Sequence, residues 1–264
     1  MNTLYEYTIS GEYIVHKENF TNISKTKKTL VLYVFHEYNE RVEHFINNAL
    51  FKDDNVDFIF ICNNMETKLK LPSYVKVIHR ENIGYDFGGW SDGLFYNNIY
   101  KNYDYFIFAN SSIIGPFLPI YYMGKWTDIY INGLKNNIKL FGSTINTYNE
   151  PHTTSHVQSY IFCIDREALE YLIKEGIFSK EYVKTFDDAI WKKEVLMSRK
   201  ILDKGWNIGC LHSYYKGVDF TFKTKSFEDY KIKLIDDFMY QSYYDDKSWN
   251  ILELVFIKGN RIKL

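Results

Sequence analysis

Two nearly unbroken apolar runs constrain this chain more than any other feature: Thr29-Leu-Val-Leu-Tyr-Val-Phe35 and Val56-Asp-Phe-Ile-Phe-Ile-Cys62. A strand with one face in water alternates apolar and polar residues, whereas a strand covered on both faces does not. Between the two runs, Val42, Phe45, Ile46 and Leu50 recur at helical spacing over 40–51. A third strand is expected at Val75–His79 and a fourth at Tyr103–Ala109, with a helix from Trp90 to about Tyr100 between them. Strand, helix, strand, strand, helix, strand is the alternation of an α/β/α sandwich around a mostly parallel sheet, with right-handed crossovers. Ligands in such sheets bind at the carboxyl ends of the strands. That rule directs attention to His36, Asn63, the stretch from Arg80 to Gly89, and Asn110, Ser111 and Ser112.

Further along, Ile138–Phe141 and Gln158–Ile164 have the pattern of strands. Asp165 is placed to cap a helix from Arg166 to about Lys174, and another helix is expected from Asp188 to Lys204, stopped by Gly205. No repeat, low-complexity linker or break in composition divides the chain. The expectation is one domain over 1–264, with an N-terminal arm at 1–28 and a C-terminal segment at 213–264.

Charge excludes some classes of function. Lys and Arg total 32 against 33 Asp and Glu, a net charge of −1. Nothing in that balance favours nucleic acid, which demands a basic face. Cys62, Cys163 and Cys210 lie far apart, in no metal-knuckle or disulfide pattern. No apolar run approaches membrane-spanning length and Met1–His16 has no apolar signal core, so a soluble, cytoplasmic protein is expected. Aromatics make up 19% of the chain. They serve cores and sugar platforms equally well, so this excess decides neither.

Three motifs carry chemistry. In the stretch after the third strand, Gly84, Gly88 and Gly89 bracket Asp86, with Asn82 before them. Glycines let backbone approach a ligand, Asp86 can bind ribose or sugar hydroxyls, and Arg80 can meet a phosphate. The plainer alternative is a tight strand-to-helix connection. Asn110-Ser-Ser-Ile-Ile-Gly-Pro-Phe117 offers short polar side chains at the exit of the fourth strand, for a diphosphate or a metal's waters, or merely as a polar turn. His152 and His156 stand four apart, but Pro151 and the hydroxyl residues between them favour an acceptor-binding loop over a metal site.

Taken in order, these blocks resemble glycosyltransferases of the GT-A fold. The likeness is nearest to the rhamnan-synthesis F proteins and related glycosyltransferases of bacteria and large DNA viruses. Gly142-Ser-Thr144, His156-Val-Gln-Ser159, Glu194-x-x-x-Ser198 and Glu253 to Arg261 are similar to later blocks of that group. The resemblance implies a GT-A, Rossmann-like fold and a nucleotide-diphosphate-sugar donor, UDP-linked, across the strand ends. It also implies a glycan acceptor held by His156 and Gln158. The C-terminal segment would close the donor site, with Lys258 and Arg261 among the cations that meet the diphosphate. Glu194, eleven residues before Gly205, matches the general base of inverting relatives, with Asp187 and Asp188 as substitutes.

Many GT-A enzymes hold Mn or Mg with an Asp-x-Asp at the end of the fourth strand. Here that place reads Asn110-Ser111-Ser112. Hard divalent cations want anionic oxygens, so metal dependence is not expected from this site, and His212 is the remaining candidate ligand. The missing carboxylates also motivate an alternative, a degenerate domain that binds nucleotide-sugar or glycan without turnover. A nucleotidyltransferase is a third reading, since fold alone does not fix chemistry. It would want a Gly-rich, Lys- or Arg-bearing loop after the first strand, where this chain has His36-Glu-Tyr-Asn39.

Overall fold

The computed structural model describes residues 26–147, 154–232, 234 and 249–261. Most of the expected N-terminal arm and His152 lie outside the described residues. The first strands fall where the apolar runs place them: β1 at Thr29–Phe35, β2 at Val56–Cys62 and β3 at Val75–His79. Helix α1, Glu40–Asn48, starts at Asn39, whose side chain accepts from the N–H groups of Arg41 and Val42. Those donors would otherwise have no partner in the first turn.

Helix α2 spans Tyr85–Phe95, five residues earlier than the sequence pattern suggests at its start. The supposed glycine loop is therefore the helix's own first turns, and the true connection is short. Strand β4 is Tyr105–Asn110, and the two-residue β5, Ile113–Ile114, follows it. Helix α3, Trp126–Gly133, leads to β6, Ile138–Gly142. The short strands β7, Ile145–Asn146, and β8, His156–Val157, pair antiparallel. Strand β9, Ile161–Asp165, is shorter than the run from Gln158 suggests, because residues 159–160 form a turn. Asp165 caps α4, Arg166–Lys174, by accepting from the Ala168 N–H at 2.9 Å.

The expected helix before Gly205 is composite. It comprises α5, Phe186–Ala189, a π-helical stretch over Ile190–Val195, and α6, Leu196–Asp203. Strand β10 is Asn207–Cys210, and the chain returns through α7, Ile251–Leu254, to β11, Ile257–Lys258.

The seven-stranded sheet runs β10-β6-β9-β4-β1-β2-β3. Strand β9 is antiparallel to both neighbours, and every other pairing is parallel. Side chains of β1 alternate between two apolar layers, as a pleated strand requires. Leu30, Leu32 and Val34 pack with Trp90 and Leu94 of α2, Leu169 of α4 and Ile201 of α6. Val31, Tyr33 and Phe35 pack with Phe45 of α1, Trp126 and Tyr130 of α3 and Leu254 of α7. The result is a Rossmann-like α/β/α sandwich. Among the described residues no helix is long and apolar enough to cross a membrane.

Candidate functional site

The carboxyl ends of β1, β2, β3 and β4 point the same way, since these strands pair in parallel. Beside the end of β4 a cleft of about 430 Å³ opens between the first turn of α2, the turn after β8, the π-helical stretch and the C-terminal segment. It is lined by Asp86, Asn110, Asn146, His156, Gln158, Ser159, Glu194, Lys258 and Arg261, and by the rings of Tyr85, Tyr160, Phe186 and Trp191.

Asp86 and Asn110 form one wall. Asn110 Nδ2 donates to Asp86 Oδ2 at 2.8 Å, while Asn110 Oδ1 accepts from the Ser112 N–H at 3.0 Å. Burial pushes the Asp86 carboxyl up from 3.8 to about 6; the Asn110 hydrogen bond opposes that shift, and the charge of Glu194 adds to it. Tyr85, just before Asp86, has φ 55. That left-handed conformation costs a non-glycine residue roughly 1–2 kcal/mol, so the surrounding packing must enforce it.

Glu194 stands on another wall. The Ser159 N–H donates to its Oε1 at 2.6 Å, which fixes the carboxylate and leaves the second oxygen to the cleft. Two contacts hold this arrangement in place. The Val157 N–H donates to Ser198 Oγ at 3.0 Å, tying β8 to α6. Lys193 turns away from the cleft and donates to the carbonyls of Gly176 and Ile177 at 2.7 and 2.9 Å. A π-stretch shifts the angular phase of a helix, here sending adjacent Lys193 and Glu194 to a buried anchor and to the cleft respectively.

The C-terminal segment supplies the cations. Strand β11 pairs antiparallel with β5, matching Lys258 with Ile113. Lys258 Nζ lies 5.8 Å from the centroid of the Tyr160 ring. His156 and Gln158 come from β8 and the turn after it. Gln158 Oε1 accepts from Thr144 Oγ1 at 2.5 Å, and His156 Nδ1 bonds the Thr154 carbonyl at 2.6 Å.

The family model of rhamnan synthesis protein F matches residues 58–238, more than half of the chain and most of the elements just described. The chain belongs to that family. The family is described by its part in rhamnan synthesis. The virulence protein VirA of Vibrio anguillarum strain ATCC 68554 / 775 is 31% identical over 117 residues, which is 43% of this chain and 34% of that protein. A second VirA sequence from the species gives the same figures. The chain thus spans about a third of the length of the curated relatives it matches.

Within this rhamnan synthesis F chain, the residues singled out in the sequence divide in two. Asp86, Asn110, His156, Gln158, Glu194, Lys258 and Arg261 meet at the cleft. The rest serve elsewhere. Arg80 is buried and spends its guanidinium on Asp92 at 2.6 Å, Asn63 Oδ1 at 2.9 Å and the Ile83 carbonyl at 2.9 Å. It buttresses α2 rather than reaching a phosphate in the cleft. His36 is exposed and bonds the Asn63 carbonyl at 2.8 Å, and Asn82 is exposed before α2. Gly88 and Gly89 are packing glycines: a Cβ would come within 2.7 Å of the Ile83 carbonyl oxygen or 2.5 Å of Val34 Cγ2. Gly84, at φ 73, starts the helix in the left-handed region. The Ser111 carbonyl accepts from Arg41 Nε at 2.8 Å, and the Ser112 carbonyl accepts from the Gly259 N–H at 2.8 Å, so both help seat neighbouring segments. Asp187 is exposed, and Asp188 pairs with Lys192 at 2.8 Å, which holds its carboxyl below the usual range. Neither lines the cleft that Glu194 enters.

His212 does not suit a metal. It is buried, its Nδ1 accepts from the Tyr214 N–H at 3.1 Å, and burial lowers its pKa to about 4. The ring is neutral at physiological pH and its accepting nitrogen is already engaged. Among the described residues no group of three or more His, Cys, Asp or Glu is placed to share an ion. The end of β4 itself offers an amide and hydroxyls, which with the Asp86 carboxylate bonded to Asn110 make a thin set for Mn or Mg.

Sequence reasoning missed Tyr85, Phe186, Trp191, Asn146 and the Ser159 N–H. Trp191 carried a signal, since it falls outside the buried stripe of Met197, Ile201 and Leu202. The role of the Ser159 N–H carried none, because a backbone donor has no side-chain signature.

Proposed function

We propose that this chain transfers a glycosyl group from a nucleotide-diphosphate sugar, UDP-linked, to a hydroxyl of a glycan acceptor, with inversion, on a fold of the GT-A kind. The observation that carries this reading is the half-buried Glu194, oriented by the Ser159 N–H, in the same cleft as Lys258 and Arg261. The acceptor oxygen attacks the anomeric carbon and its proton passes to the open oxygen of Glu194. The bond from carbon to the diphosphate oxygen breaks, and its electron pair leaves with the nucleotide. Lys258 and Arg261 meet the charge that grows there, while Asp86 binds donor hydroxyls. No step runs through a metal. The family's name directs the acceptor toward a rhamnan, a polymer of 6-deoxyhexose.

The test is Glu194→Gln, which keeps shape and removes the base. It should lower kcat about a hundred- to ten-thousand-fold with donor affinity nearly unchanged, the mark of an interaction made only in the transition state. Near-parental kcat would reject Glu194 as base.

A second reading, binding without turnover, is favoured by the amide and hydroxyl residues at the end of β4. It predicts measurable affinity for nucleotide-sugar and neither transfer nor hydrolysis with any acceptor.

A further inference from the structure

The mouth of the cleft carries three rings that the proposed chemistry leaves unused. Tyr85, Phe186 and Trp191 are 38%, 64% and 53% exposed against the described residues. Tyr85 and Phe186 stand together, with ring centroids 6.1 Å apart. Large aromatic faces left in water at the rim of a polar cleft mark a binding surface. The left-handed backbone at Tyr85 is a second, independent sign that a ring is held there against its own preference.

A third sign lies inside the same cleft. Asn146 is 9% exposed, and among the described residues its Oδ1 has no hydrogen-bond partner. Its orientation follows from its neighbour. His156 Nδ1 faces the Thr154 carbonyl at 2.6 Å, so that nitrogen carries the proton and Nε2 is an acceptor. Asn146 Nδ2 approaches that Nε2 at 3.4 Å, which turns Asn146 Oδ1 the other way, unsatisfied. A buried carbonyl oxygen needs a donor. A phosphate or carboxylate offers none, whereas a sugar hydroxyl does.

We propose that Trp191, Phe186, Tyr85 and Asn146 form a saccharide subsite, in which the rings take the C–H face of a pyranose and Asn146 Oδ1 accepts from one of its hydroxyls. That the occupant is the acceptor rests on the transfer reading above; that it is a saccharide rests on these four residues.

The experiment titrates the protein with an α-linked rhamnose trisaccharide, a mannose trisaccharide and UDP, by saturation-transfer NMR and calorimetry. Trp191 is the most exposed of the five tryptophans, so replacing it leaves the core intact. Trp191→Ala should weaken trisaccharide binding about tenfold, the effect of one lost ring contact. Trp191→Phe should restore most of that, and neither variant should alter UDP affinity. Asn146→Leu should weaken trisaccharide binding alone. Failure of both trisaccharides to bind, or equal loss of UDP and saccharide in Trp191→Ala, overturns the subsite. Binding of trisaccharide with no affinity for UDP or its sugars would leave the subsite standing and sink the transfer reading instead.

Discussion

Asp86→Asn separates what this residue does for the fold from what it does in the cleft. Burial raises the Asp86 carboxyl from 3.8 to about 6 in the native state. The folded protein therefore holds that proton more tightly than the unfolded chain does. Stability from this group is unaffected while both states are protonated, falls as pH rises between 3.8 and about 6, and is lower by a constant amount above that. The difference between 3.8 and about 6 corresponds to about 3 kcal/mol. The asparagine variant has no charge to bury, and its amide oxygen can still accept from Asn110 Nδ2. It should exceed the parent in stability by up to about 3 kcal/mol at pH 8, or roughly 6–12 °C in Tm for a chain of this size, and match it near pH 3. The assay is urea denaturation of both proteins across that range. A difference independent of pH, or a variant less stable at pH 8, would refute the argument. Nucleotide-sugar binding should be lost in the same variant, because stability and function oppose each other at a buried charge.

Other outcomes follow from the same contacts. Lys258→Ala should weaken a nucleoside diphosphate more than the nucleoside, measured by calorimetry; equal losses would remove Lys258 from the phosphate. Turnover should persist at a measurable level in EDTA, and complete loss restored by Mn would reveal a ligand set beyond the residues described here. Gly89→Ala should cost about 1–3 kcal/mol in chemical denaturation, since its Cβ would sit 2.5 Å from Val34 Cγ2. Lys193→Met strips the donor from the Gly176 carbonyl and from the buried Ile177 carbonyl, and should lower stability by about 1–3 kcal/mol, along with kcat through Glu194.

The central strands β1 and β2 were legible because burial on both faces leaves an unmistakable apolar run. β1, β2 and β3 begin and end where their runs do. The start of α2 was not. Three of its positions lie close against the sheet or the preceding turn, and glycines fill them: Gly88, Gly89 and Gly93. The Cβ of an alanine at 93 would lie 2.7 Å from Ile61 Cδ1. Packing overrides the poor helix propensity of glycine there, so a helix reads as a loop. Asp86, Asn110 and Glu194, picked out by motif and resemblance, do lie together on the walls of one cleft. Arg80 was ambiguous in the sequence because a guanidinium at a strand end suits a phosphate and the half-buried Asp92 equally well. The π-stretch has no signature in the periodicity, so the separation of Glu194 from Asp187 and Asp188 could only be seen in three dimensions.

The pairing of β11 with β5 has a consequence for the order in which the molecule is assembled. As the chain emerges in synthesis, β1 to β4 and the wall formed by Asp86 and Asn110 come first. Lys258 arrives only after β10 and α7, across a long separation in sequence that makes its contacts slow to close. Just before it, Phe256 inserts among Phe45, Trp126 and Tyr130, within 5.0 to 6.4 Å of each ring. A nascent chain halted short of Phe256 would carry the carboxylates of the cleft with an unfilled socket beneath α1 and α3. Lys258 is thus mechanically coupled to the last plug in that layer, and it takes its place at the cleft only once the second apolar layer has been sealed.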